Sequence, residues 1–225
     1  SLVGSEMCIR DRPEVAPGHR RRRRAAPPPG QLRAAHGADK AVRLGVDVSE
    51  HQAGLDVSRF DFVIARTTDG TYQDAAFSSF APHATAAYHF LRAPSEGTSI
   101  AEQVSAALEV LGGRRLPMWL DVESPAGLSL LDVRSAHHSF SSAGVEVAGV
   151  YTNAWYWRRH MLFADVAEFG ALWLAQWGAN PVVDVSLPLD VGEWPRPVGF
   201  PTPTVWQFTS RGRVDGVDVD LNLAL

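Results

Sequence analysis

The chain has 225 residues, of which 45% are hydrophobic and 20% charged, with a formal net charge of -4. No run approaches the roughly 18 continuous apolar residues of a membrane span, and a single cysteine, Cys8, excludes an internal disulfide or a cysteine-based metal site. The charge is uneven: residues 1–43 hold ten Lys/Arg against four Asp/Glu, whereas the remainder holds eleven against twenty-one, together with all seven tryptophans. So acidic a body should repel nucleic acid.

Residues 1–43 are expected to be a disordered basic, proline-rich tail. Arg20 to Arg24 is a run of like charge followed by Ala-Ala-Pro-Pro-Pro-Gly, which self-repels and offers no apolar face to bury. A twin-arginine export signal would need an apolar stretch that does not follow. Residues 1–12, SLVGSEMCIRDR, resemble translated sequencing adapter.

Order is expected from Leu44. Leu44 to Ser49 is a short apolar strand broken by Asp47, and Phe62 to Thr67 a second, ending in the turn Asp69-Gly70. Thr85 to Phe90 is a third strand. Ile100, Val104, Ala107, Leu108 and Leu111 recur with helical period and stop at Gly112-Gly113. Pro117 to Glu123 is a strand, Leu130 to Ala143 a weaker helix, and Val147 to Tyr151 and Ala171 to Gln176 are strands. A loop over residues 180–203 precedes two last strands, Thr204 to Phe208 and Val217 to Leu221. Continuous apolar strands alternating with helices indicate a parallel sheet covered by helices. Eight such strands suggest a closed α/β barrel; an open doubly wound sheet is the alternative, though no G-x-G-x-x-G follows the first strand.

The chemistry centres on Met118-Trp119-Leu120-Asp121-Val122-Glu123. Side chains two apart on a strand share a face, so Asp121 and Glu123 project together, their Cα atoms roughly 6–7 Å apart. Two close acids push each other's pKa values apart, as glycosidic chemistry requires. By itself D-x-E is more often a plain strand end. Here Asp47, Asp69, Tyr88, Asp121, Glu123, Tyr151, Gln176, Gln207 and Asp220 all fall at strand C-termini, which converge on one mouth in a barrel. Acids for catalysis and aromatics to stack on sugar rings describe a sugar-cleaving cleft.

The motifs Gly45-Val46-Asp47-Val48-Ser49, Phe62 to Gly70, Ala87-Tyr88-His89-Phe90, Trp119 to Glu123, Gly149 to Asn153, Trp173 to Trp177, Val205 to Ser210 and Val219-Asp220-Leu221-Asn222 resemble, in order, the strand motifs of glycoside hydrolase family 25, the Chalaropsis-type lysozymes. The resemblance covers residues 44–225. It implies an irregular (β/α)5(β)3 TIM-like barrel and an N-acetylmuramidase that cuts the β-1,4 bond between N-acetylmuramic acid and N-acetylglucosamine in peptidoglycan. It implies no metal or cofactor, a monomer with no nucleic-acid or membrane partner, and a secreted or wall-associated location. Two departures are visible. The segment from Ser78 to Ala87 is shorter than the family's, and Thr68-Asp69-Gly70 stands where the family has Thr-Glu-Gly.

Expected roles follow. Glu123 is the general acid with a raised pKa, and Asp121 is the ionised partner that orients the substrate's 2-acetamido group or acts on water. Asp47 and Asp220 complete the acids; strand period does not separate Asp220 from Asp218, and the family pattern selects Asp220. Tyr88, Tyr151, Gln176, Gln207 and Trp206 are expected substrate contacts, and Trp155 and Trp157 are placed near the groove. Competing readings are a catalytically silent wall-binding module, and a two-metal phosphoesterase using Asp121/Glu123 and Asp218/Asp220.

Overall fold

The computed structural model describes residues 42–186 and 191–225. The expected tail therefore lies outside the described residues except at Val42 and Arg43, and Arg43 already belongs to the first strand. In chain order the elements are β1 (Arg43–Val48), β2 (Phe62–Asp69), β3 (Tyr72–Gln73), α1 (Phe77–Phe80), β4 (Ala86–Phe90), α2 (Ile100–Leu111), β5 (Met118–Asp121), α3 (Leu130–Ser142), β6 (Val147–Thr152), α4 (Ala154–His160), β7 (Ala171–Ala175), β8 (Val183–Asp184), β9 (Val205–Val214) and β10 (Val217–Ala224).

The sheet runs β1-β10-β9-β7-β6-β5-β4-β2, and β1 pairs with β2 to close it into an eight-stave barrel. The pairings from β1 through β2, β4, β5, β6, β7 and β9 are parallel. Among the eight staves β10 alone runs the other way, between β9 and β1. It reverses at Asp215-Gly216, where both residues have positive φ, 51° and 83°. That is the backbone a two-residue hairpin requires to match strand twist.

Alternation along each stave separates two cores. Residues facing outward, such as Val46, Val63, Ala87, Leu120, Val150 and Leu172, pack beneath the helices. Residues facing inward, namely Phe62, Ile64, Ala86, Tyr88, Trp119, Tyr151, Trp173, Val205 and Ala224, fill the lumen. The filling is tight. A Cβ on Gly45 would come within 2.5 Å of the Phe62 ring, and one on Gly149 within 1.9 Å of the Ala171 carbonyl oxygen of β7.

Two helices are well specified. Ser99 and Ser129 cap α2 and α3, each accepting from the N–H three residues on while Glu102 and Asp132 reach back. Their inner stripes are Ile100, Val104, Ala107 and Leu111, and Val133, Ala136 and Phe140. Elsewhere the helical layer is reduced. A single 3-10 turn, Glu50–Gln52, fills the β1–β2 connection, and the four-residue α1 is the only helix between β2 and β4. The barrel is therefore irregular, with fewer helices than a full (β/α)5(β)3 pattern supplies. No helix among the described residues is long and apolar enough to cross a membrane.

Candidate active site

The inner face of β5 carries Trp119 and Asp121, and the next residue of that parity, Glu123, stands just beyond the strand end. Asp121 is buried, 5% exposed, and Glu123 is half-buried. Opposite lie Asp47 of β1 and Asp220 of β10, which face each other across the antiparallel pair. Gln207 joins them: its Nε2 donates to Asp47 Oδ2 at 3.0 Å and to Asp220 Oδ2 at 3.2 Å. Its Oε1 accepts from Tyr151 Oη at 2.9 Å and from Trp177 Nε1 at 2.8 Å. Asn222 adds a second tie, donating to Asp47 Oδ2 at 2.6 Å while accepting from Trp173 Nε1 at 2.7 Å. The amide orientations are thus fixed by donors and acceptors of the barrel wall.

Asp121 lacks such support, and its Oδ1 is buried with no hydrogen-bond partner. A bare buried carboxyl oxygen is costly unless a ligand satisfies it.

Electrostatics follow from burying four acids around one lumen. Burial raises Glu123 to about 7, with the charge of Asp47 adding to the effect. Burial likewise raises Asp47 to about 6, although hydrogen bonds from Asn222 and Gln207 oppose it. Asp121 is pushed well up by burial and then by Glu123 and Asp47, and Asp220 by burial and then by Asp47. Asp121 and Glu123 are thus both raised, because both are desolvated. Tyr88 and Tyr151 are held neutral by burial and the surrounding acids.

A family profile described as Glycosyl hydrolases family 25 matches residues 46–217. The chain belongs to that family. It is 32% identical over 218 residues to Lysozyme M1 of Streptomyces globisporus, covering 82% of this chain and 68% of that protein. Its fold is shared with a family GH25 lysozyme from Aspergillus fumigatus, at a TM-score of 0.61 and 22% identity over 82% of this chain and 94% of the other. A muramidase from Trichobolus zukalii gives 0.61 and 24% identity, over 81% and 93%. The protein is thus a glycosidase of the lysozyme type.

Within this family 25 barrel, Asp47, Tyr88, Asp121, Glu123, Tyr151, Gln207 and Asp220 converge on the lumen mouth. Gln176 does not: its side chain is exposed, and only its backbone takes part, its N–H donating to the Gln207 carbonyl at 3.1 Å and its oxygen accepting from Trp206 Nε1 at 2.8 Å. Trp206 faces outward, packed edge-on against Trp194 at 5.8 Å and Phe208 at 6.0 Å. Both have the wrong strand parity, one residue out of phase with the lumen. Trp157 is buried in the outer core with its indole N–H on the Ala164 carbonyl, whereas Trp155 is 64% exposed on α4.

Asp218 separates from Asp220. It is exposed and paired with Arg213 at 2.9 Å near the hairpin end of β10, whereas Asp220, two residues further along the same face, pairs directly with Asp47. The four-acid metal arrangement loses a member, and no group of three His, Cys, Asp or Glu side chains among the described residues is placed to hold a metal ion. The sequence reading missed Asn222, Trp173 and Trp177 as supports of the site. The available signals were the two-residue spacing from Asp220 to Asn222 and the four-residue spacing from Trp173 to Trp177, both of which keep one strand parity.

Proposed function

We propose that this lysozyme-type glycosidase hydrolyses the β-1,4 bond from N-acetylmuramic acid to N-acetylglucosamine in peptidoglycan, with Glu123 and Asp121 as the working pair. The observation that carries the reading is the unsatisfied Oδ1 of Asp121 beside Glu123 on one inward strand face. A substrate 2-acetamido N–H is a fitting partner for that oxygen. The new hydrogen bond would favour the carboxylate form of Asp121 and leave the shared proton on Glu123.

Glu123 then donates this proton to the leaving O4, and the C1–O4 bond breaks. The acetamido carbonyl oxygen attacks C1, giving a cyclic oxazolinium ion whose positive charge Asp121 offsets. Glu123, now a carboxylate, takes a proton from water, which opens the ring at C1 and restores the acetamido group with retained configuration. Both carboxyls lie along β5 and its immediate extension, which favours this route over a carboxylate attacking from across the sugar. Peptidoglycan as substrate places the enzyme's work in the cell wall, outside the membrane.

Mass spectrometry of digested peptidoglycan tests the reading. Fragments with N-acetylmuramic acid at the reducing end are expected. Reducing-end N-acetylglucosamine would overturn the bond assignment. A suspension whose turbidity never falls would instead indicate a silent binding module.

A further inference from the structure

Beyond the end of β4 the chain keeps step with β5. Phe90 pairs with Asp121, the Leu91 N–H donates to the Asp121 carbonyl at 3.0 Å, and the Ala93 N–H donates to Ser124 Oγ at 3.3 Å. Arg92 is therefore level with Glu123. Two-residue alternation from Tyr88 through Phe90 puts it on the lumen side.

Its guanidinium lies over the Phe90 ring at 4.5 Å. Nε and Nη2 grip the two Asp69 oxygens at 2.5 and 2.8 Å, and Nη1 donates to Glu96 Oε1 at 3.0 Å. Glu96 in turn accepts from the Ser124 hydroxyl and from the Ala93 N–H. The fork is held rigidly, yet these bonds use only three of the five N–H groups a guanidinium carries. The Arg92 side chain is 31% exposed, against 11% for Arg66, the other lumen-facing arginine, which is engaged by Asp74 and Glu50. A preorganised cation with open donors thus stands on the rim, abreast of the proposed acid.

An oxygen acceptor is what such donors recognise. Because Asp69 and Glu96 together outweigh the single positive charge, a neutral carbonyl suits the spot better than a free anion. On the proposed substrate the sugar whose C1 reacts carries a 3-O-lactyl group ending in an amide carbonyl. That group is what distinguishes a muramyl from a glucosaminyl residue. We infer that Arg92 is a specificity-determining residue that donates to the lactyl carbonyl and selects N-acetylmuramyl over N-acetylglucosaminyl units beside Glu123. The inference rests on the muramidase reading above.

The test uses two ligands: a peptidoglycan tetrasaccharide with amidated lactyl groups, followed by KM and kcat, and chitotetraose, which lacks lactyl groups, followed by its inhibition constant. Arg92→Met should raise KM for the tetrasaccharide about ten- to a hundredfold, the range for hydrogen bonds from a charged donor, and leave the chitotetraose constant unchanged. Arg92→Lys keeps the charge but not the fork and should fall between. Ser124→Ala loosens Glu96, and through it the fork, so it should raise KM for the tetrasaccharide by a smaller factor than Arg92→Met and leave the chitotetraose constant unchanged. The inference is overturned if Arg92→Met and Arg92→Lys leave KM unchanged, or weaken both ligands equally. Failure of the wild type to cut the tetrasaccharide would instead sink the muramidase reading itself.

Discussion

At the closed end of the lumen, Phe62, Ile64, Ala86, Trp119, Val205 and Ala224 fill the space with apolar side chains. At the open end, a few residues along the same staves, stand Arg66, Tyr88, Asp121, Gln207 and Asn222, joined by Asp47 and Asp220. Trp173 sits between the two. It packs edge-on against Tyr88, Trp119 and Tyr151 at 4.6–6.0 Å and sends its indole N–H up to Asn222. The closed end is satisfied by contact alone. The open end holds four desolvated acids that repel one another and are tied down only at Asp47 and Asp220. One end stabilises the barrel; the other concentrates unfavourable electrostatics.

Mutations should split along that line. The largest effect is expected at the open end. Glu123→Gln keeps shape but cannot donate a proton, so turnover of peptidoglycan should fall about 10²–10⁴-fold, with melting temperature unchanged or higher. An aryl glycoside, which needs little protonation, should be partly spared in this variant, whereas Asp121→Asn should lose both substrates alike. Rescue of Asp121→Asn by the aryl substrate would invert the two roles.

Trp119→Ala attacks the closed end. Truncating an aromatic side chain that is 6% exposed should cost about 3–5 kcal/mol, read as a shift in the denaturation midpoint. If the melting temperature held while activity alone vanished, the division between the two ends would be wrong.

The pH dependence sharpens the contrast further. Glu123 is raised to about 7 and Asp47 to about 6, above the values of roughly 4 expected in an unfolded chain. The folded state therefore binds more protons than the unfolded one between about pH 4 and pH 7. Stability from these groups is fully present below that window and lost as pH rises through it. Melting temperature should decline across the window, and a variant with Asp47→Asn and Glu123→Gln should show a flatter profile. Activity should also fall as pH rises through about 7, because Glu123 loses the proton it donates; a rate still climbing at pH 9 would contradict the assignment.

The smallest effect is expected at Asp218, whose pairing with Arg213 is exposed on both sides. Asp218→Asn should change stability by less than about 0.5 kcal/mol and leave turnover intact, while Asp220→Asn should impair it.

The strands, both long helices and the D-x-E pair were legible because each rests on a local rule. Strand period set the face shared by Asp121 and Glu123, and helical period with a stop at Gly112-Gly113 marked α2. Some legible signals went unused. Asp215-Gly216 is a hairpin turn, yet the sequence reading ends the preceding strand at Phe208, whereas β9 runs on to Val214. In the barrel Gly212 is buried where a Cβ would meet Leu221 at 2.4 Å, so the glycine marks close packing within a strand. The errors at Gln176 and Trp206 came from choosing polar and aromatic residues at a strand end without enforcing parity.

The sequence by itself determined the order of apolar strands, the spacing of the acids and the family they match, because those depend on residue type and local period. Only the tertiary structure decided that Gln207 bridges Asp47 and Asp220, and that Asp121 is left with a bare oxygen. Residues 47, 207 and 220 meet through barrel closure and β-bulges, and burial is a property of the surrounding shell. Nothing within a few residues of Asp121 encodes how many neighbours will exclude water from it.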